Sequence, residues 1–178
     1  VGEVESMSTK LHWQSFGQGP DLVLLHGWGM NGAVWQQTVE ALQSQFTLHV
    51  VDLPGYGHSA SSHAQDLAEI AEMVLQGAPE KAVWLGWSLG GLVATHVALN
   101  APDRVNKLIT VASSPKFAAQ RPWRGIQPNV LSAFTEQLME DFSQTIERFM
   151  ALQAMGSPSA RQDVRHLKQA VLFKLPNI

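Results

Sequence analysis

The chain contains no cysteine. That absence excludes disulfides, thiolate nucleophiles and cysteine-ligated metal sites, and it suits a cytoplasmic location. No apolar run approaches the roughly 20 residues of a membrane-spanning helix. No basic segment leading into an apolar stretch stands near the start, so no secretory signal is expected. Internal repeats and low-complexity tracts are also missing. Charged residues are sparse at 15%, against 45% apolar residues. This balance is ordinary for a soluble globular protein, and 178 residues suffice for one domain with a real core.

The net charge of −3 is unevenly spread. Residues 1–115 hold 4 Lys/Arg and 10 Asp/Glu, whereas residues 116–178 hold 8 Lys/Arg and 5 Asp/Glu. The first part is therefore acidic and the second basic. Residues 1–10, which include VGEVES ahead of Met7, are expected to be a tag or a disordered N-terminus.

Strand and helix patterns alternate along the first part. LHWQSF (11–16) reads as an edge strand, and LVLLH (22–26) and FTLHVVD (46–52) as buried strands. AVWLGW (82–87) and VNKLITVASS (105–114) read as further strands. Helices are expected over 33–44, 66–76 and 88–101. This order predicts an α/β fold, with a mostly parallel sheet covered by helices on both faces. After Pro115 an irregular, proline-broken stretch gives way to two amphipathic helices, at about 129–154 and 158–174. The expected organisation is a sheet core over 11–114 and an incomplete helical lid over 115–178, capping the carboxyl edge of the sheet.

Gly86-Trp87-Ser88-Leu89-Gly90 fits G-x-S-x-G between a strand and a helix. A nucleophilic serine needs such a tight turn to lift its hydroxyl clear of the sheet. Flanking glycines remove the Cβ atoms that would clash there. The plainer alternative is a glycine-rich helix start with Ser88 as an N-cap. His26-Gly27-Trp28-Gly29 follows a buried strand. Acyl transfer needs two backbone donors aimed at the developing oxyanion. The N–H groups of Leu89 and Trp28 are the candidates. His26 is expected to brace its loop rather than act as a base, and Asp52, ending its strand, to brace the loop LPGYGHS.

Taken together, H-G-W-G, D-L-P-G-Y-G-H-S and G-W-S-L-G-G resemble the α/β-hydrolase family in order and spacing. LVLLHGWGMNGAVW, FTLHVVDLPGYGHS, WLGWSLGGLVA, TVASSP and ERFMALQAMGS narrow the resemblance to the pimeloyl-[acyl-carrier protein] methyl ester esterases of biotin synthesis. The resemblance covers the chain from about Leu11. It implies a serine carboxylesterase with a helical lid that releases methanol and a free carboxylate, without metal or cofactor. General short-chain esterase or acyltransferase activity on the same fold, or an inactive fragment serving as a binding module, are the alternatives.

On this fold the acid and the histidine follow later strands, in the order serine, acid, histidine. Both are expected beyond Ile178, so the C-terminal strands are read as missing. His96 lies eight residues along the helix from Ser88, about 12 Å by helical rise, too far for a hydrogen bond. Nothing in the sequence recommends His12, His49, His58, His63 or His166 as the base.

Arg161, Arg165 and Lys168 fall on one face of the last helix, and Arg148 lies on the helix before it. Such a face is ordinarily solvated surface. The resemblance implies instead a surface that receives an acidic acyl-carrier protein, and it makes Trp28, Ser88, Leu89 and Phe149, Met150, Ala151, Leu152, Gln153 the substrate-binding residues; core packing of the lid is the equal alternative for Phe149. No stacking aromatics accompany the cations, so nucleic acid is disfavoured. No membrane contact is expected, and the complete protein is expected to be a monomer.

Overall fold

A computed structural model describes residues 10–172. The expectations for residues 1–9 and for the helix tail at 173–174 lie outside the described residues. The chain divides into two compact units between Ser113 and Ser114.

The first unit is a five-stranded sheet in the order β1-β3-β2-β4-β5. Its strands are β1 (His12–Gly17), β2 (Asp21–Leu25), β3 (Thr47–Asp52), β4 (Ala82–Trp87) and β5 (Val105–Val111). Only β1 runs antiparallel, against β3; the β2–β3, β2–β4 and β4–β5 pairs are parallel. The apolar run of β2 still obeys the two-residue period of a strand. Leu22 and Leu24 join a cluster with Trp35, Val39, Leu48 and Val50, beside the helix α1 (Gln36–Leu42). Val23 and Leu25 face the other way. They join Val51, Val74, Trp84, Val93 and Val97, beneath α2 (Leu67–Gly77) and α3 (Leu89–Asn100). The strand is apolar throughout because helices cover both of its faces.

Two ends are tied by polar groups. Asp66 caps α2 by accepting from the Glu69 N–H at 2.8 Å. The Arg104 guanidinium donates to the carbonyls of Glu80 (2.6 Å), Pro79 (3.0 Å), Leu75 (3.2 Å) and Ala78 (3.3 Å), closing the C-terminus of α2. On β5, Leu108, Ile109 and Val111 are 39%, 42% and 45% exposed, and the strand is an edge among the described residues.

The second unit holds α4 (Pro128–Glu140), α5 (Phe142–Gln153) and α6 (Ala160–Val171). The single helix predicted over 129–154 is therefore two. Asp141 takes extended backbone angles, φ −148 and ψ 90, and its side chain caps α5 through the Gln144 N–H at 2.9 Å. An aspartate in mid-pattern offers that local bond, and it outweighs continued apolar periodicity. The predicted strand 105–114 also ends early, because Ala112 adopts φ 45. Among the described residues no helix is long and apolar enough to cross a membrane.

Candidate active site

Ser88 stands between β4 and α3 with φ 53 and ψ −114. A non-glycine residue in the left-handed region is strained and persists only when its surroundings hold it. Those surroundings are built from glycine. A Cβ on Gly86 would come within 2.1 Å of the Gly90 carbonyl oxygen, and one on Gly90 within 2.2 Å of the Leu25 oxygen. The turn is closed by the Ser88 N–H donating to the Val111 oxygen at 3.0 Å and by the Gly91 N–H donating to the Ser88 oxygen at 2.9 Å. The Ser113 hydroxyl donates to the same carbonyl.

Ser88 occupies the N-cap position of α3 but makes no side-chain cap bond. Among the described residues no hydrogen bond engages its hydroxyl. A serine serving only as a cap would accept from the N–H two or three residues on. This one leaves that role unfilled and presents its hydroxyl at the start of a 12-residue helix, where the first backbone N–H groups lack intrahelical acceptors.

The loop after β2 lies against this turn. A Cβ on Gly27 would stand 3.2 Å from the Trp87 ring and 3.4 Å from Ser88 Cβ. Trp28 and Leu89 are half-buried and pack against one core cluster. The loop reverses through the Met30 N–H, which donates to the Gly27 oxygen at 3.3 Å, with Gly29 at φ 75. The structure thus brings Ser88, Leu89 and the Gly27–Trp28 segment together.

Two buried polar groups hold that loop. His26 donates from Nδ1 to the Gly27 oxygen at 2.8 Å and accepts at Nε2 from the Leu53 N–H at 3.0 Å. Burial lowers its pKa from 6.5 to about 4, against the opposing pull of the Gly27 hydrogen bond and the Asp52 charge. The imidazole is neutral near pH 7 and both nitrogens are engaged, which leaves it no part as a base. The Tyr56 ring meets it edge-on, with centroids 5.0 Å apart, and burial raises the Tyr56 pKa. Asp52 receives the Gly32 N–H at 2.6 Å on Oδ1 and the His58 N–H at 2.9 Å on Oδ2. One carboxylate therefore braces both the loop after β2 and the loop after β3. The sequence suggested only the second.

The other histidines take other places. His49 bridges Ser15 Oγ at 2.9 Å and Asp21 Oδ1 at 2.7 Å. This array has the composition of a catalytic relay, yet Ser15 is mid-strand, where ladder pairing uses the backbone donors an oxyanion would need. His96 sits within α3, and His63 and His166 are exposed.

Within the helical unit, Arg148, Arg161 and Arg165 are exposed. Lys168 differs from these three: its Nζ pairs with Glu147 Oε2 at 2.7 Å between α6 and α5, whereas among the described residues no ion pair engages the three arginines. Phe149 lies 6.0 Å from the Phe134 ring, and Met150 is fully buried. Ala151, Leu152 and Gln153 are exposed.

Comparison with known proteins places this geometry. A family model described as the alpha/beta hydrolase fold matches residues 20–170. A pimeloyl-[acyl-carrier protein] methyl ester esterase from Vibrio campbellii is 86% identical over 168 residues, which are 94% of this chain and 66% of that protein. The Vibrio atlanticus protein of the same name is 74% identical over 175 residues, 96% of this chain and 68% of the relative. The chain thus spans about two-thirds of the length of the curated relatives it matches. Among solved structures, an esterase from Exiguobacterium antarcticum aligns with a TM-score of 0.75 at 24% identity, covering 90% of this chain and 65% of that one. A hydrolase from Oleispira antarctica aligns at 0.78 and 20% identity, covering 93% and 65%. By sheet order, by the strained turn at Ser88 and by these matches, the chain belongs to the alpha/beta hydrolase fold family.

Proposed function

We propose that the protein is a serine carboxylesterase that hydrolyses the methyl ester of pimeloyl-acyl-carrier protein, with Ser88 as its nucleophile. One observation carries the reading: Ser88 is held at φ 53 on a helix start with no cap bond to its hydroxyl. The names of the relatives supply the substrate class.

Ser88 Oγ attacks the ester carbonyl carbon while a histidine takes its proton. That histidine and its acid partner would come from the third of the relatives' length that this chain does not span. The N–H groups of Leu89 and Trp28 receive the oxyanion. The tetrahedral intermediate expels methoxide, which takes the proton and leaves as methanol. Water then attacks the acyl-enzyme, returning Ser88 and a free carboxylate. We assign the acyl chain to Trp28 and to Phe149, Met150, Ala151, Leu152 and Gln153. The ester chemistry requires no metal or cofactor.

The acyl-carrier protein is assigned to Arg148, Arg161 and Arg165, whose exposed cations suit an acidic partner. Lys168 contributes less, since Glu147 balances it. The absence of cysteine and the biosynthetic substrate favour a cytoplasmic enzyme.

Ser88→Ala in the whole protein tests the reading. Loss of methyl ester hydrolysis with unchanged thermal stability is expected. Hydrolysis at the parent rate would overturn it. Equal turnover of carrier-bound and free methyl esters would instead indicate a general short-chain esterase.

A further inference from the structure

β1 runs antiparallel to β3 in a register that sets His12 directly opposite Asp52. The loop after β3 folds back onto the same carboxylate. His58 donates its backbone N–H to Asp52 Oδ2 at 2.9 Å, and its ring Nδ1 stands 3.4 Å from that oxygen. The His12 and His58 rings lie with centroids 4.6 Å apart, and the His12 N–H donates to Ser59 Oγ at 2.8 Å. One ligand atom from each of His12, Asp52 and His58 falls within 4.8 Å of the other two.

We propose that His12, Asp52 and His58 form a binding site for one first-row divalent cation, with Zn²⁺ the best fit. Three features converge. The first is spacing. A separation of 3.4 Å is long for a charge-assisted hydrogen bond. Two donors bound at about 2.0–2.1 Å in a tetrahedral shell stand about 3.3 Å apart. The His12 donor lies within 4.8 Å of the other two, so closing the shell would take a small movement of its imidazole. The second feature is support around the ligands. Asp52 is 5% exposed and already oriented by the Gly32 and His58 N–H groups, one on each oxygen. Donors that fix a ligand carboxylate in this way are the usual outer shell of a metal site. The third is access. The His58 side chain is 55% exposed, which opens the cluster to solvent.

Two imidazoles and one carboxylate select zinc, cobalt, nickel or copper over magnesium and calcium. Three protein ligands leave a fourth position for water. A bound ion fastens the edge strand β1 to the loop after β3. The site takes no part in the Ser88 chemistry and does not depend on that reading.

The test is titration of the metal-free full chain with Co²⁺ and then Zn²⁺. One equivalent of Co²⁺ is expected to bind with the intense visible absorption of a tetrahedral site, and Zn²⁺ to abolish that band and raise the thermal midpoint. His12→Gln and His58→Gln are each expected to weaken Zn²⁺ binding at least about tenfold. His63→Gln and His166→Gln, at exposed histidines elsewhere, leave it unchanged. Absence of saturable binding, or affinity in both His12→Gln and His58→Gln equal to the parent, overturns the proposal. So does a loss that follows His63 or His166. The metal-free thermal midpoint of each variant is read alongside. Should His12→Gln unfold, His58→Gln decides, because its side chain is mostly in solvent.

Discussion

The Ser113 hydroxyl donates to the Ser88 carbonyl oxygen at 2.8 Å across 25 residues of sequence. It ties the end of β5 to the strained turn. The same oxygen also accepts from the Gly91 N–H at 2.9 Å, so the helix start survives without Ser113. Ser113→Ala is expected to lower stability by about 1 kcal/mol and turnover by at most about fivefold. Urea unfolding and steady-state kinetics of the whole protein check both.

Gly90 is under a harder constraint. A Cβ there meets the Leu25 oxygen at 2.2 Å and the His26 oxygen at 2.7 Å, both backbone atoms that cannot turn aside. Gly90→Ala is expected to destabilise by about 3 kcal/mol or more. The urea midpoint measures it, and a midpoint within error of the parent's would mean the turn is not built as described.

His26 sets an acid limb on stability. Its pKa is about 4 in the folded chain against 6.5 when unperturbed. Between those values the unfolded chain binds a proton that the folded chain excludes. Stability therefore falls as pH drops from about 6.5 towards 4, approaching about 1.4 kcal/mol per pH unit within the window. In His26→Gln this contribution disappears. The loss of stability between pH 7.5 and pH 5 should shrink relative to the parent, whatever the overall cost of the substitution.

The exposed cations of the helical unit make a charge prediction. Glu at Arg148, Arg161 and Arg165 together should raise KM for the carrier-bound ester and flatten its salt dependence. Turnover of a free methyl ester should stay the same. Lys168→Ala should act far more weakly on KM, because the ion pair with Glu147 already offsets its charge.

Arg104 was not marked by the sequence as a structural residue. Its guanidinium reaches four carbonyls at the end of α2, a fork that a lysine cannot reproduce. Arg104→Lys is expected to cost about 1–2 kcal/mol by thermal or urea unfolding.

What could be read from the sequence follows from which forces are local. The strand-turn-helix at 82–100 was legible because Gly86, Ser88 and Gly90 encode their own geometry. The bracing role of His26 followed from its place at a buried strand end. The break at Asp141 was hidden, because Phe134, Leu138, Phe142 and Ile146 keep helical spacing across it. The link from Asp52 to Gly32 spans 20 residues, and the meeting of His12 with His58 depends on the register of β1 on β3. Neither leaves a mark on sequence spacing. Arg104 was equally silent, since its partners are backbone carbonyls that every residue carries.

The left-handed backbone of Ser88 carries a consequence for engineering. Glycine adopts φ 53 without steric strain, a relief expected to outweigh its added chain entropy, so with Ser88 as the proposed nucleophile Ser88→Gly should yield a sturdier and chemically silent protein. A campaign that ranks variants by melting temperature alone would be drawn to that substitution. Under that proposed role of Ser88, heat tolerance and reactivity pull against each other at this residue, so any such screen needs an activity readout beside it.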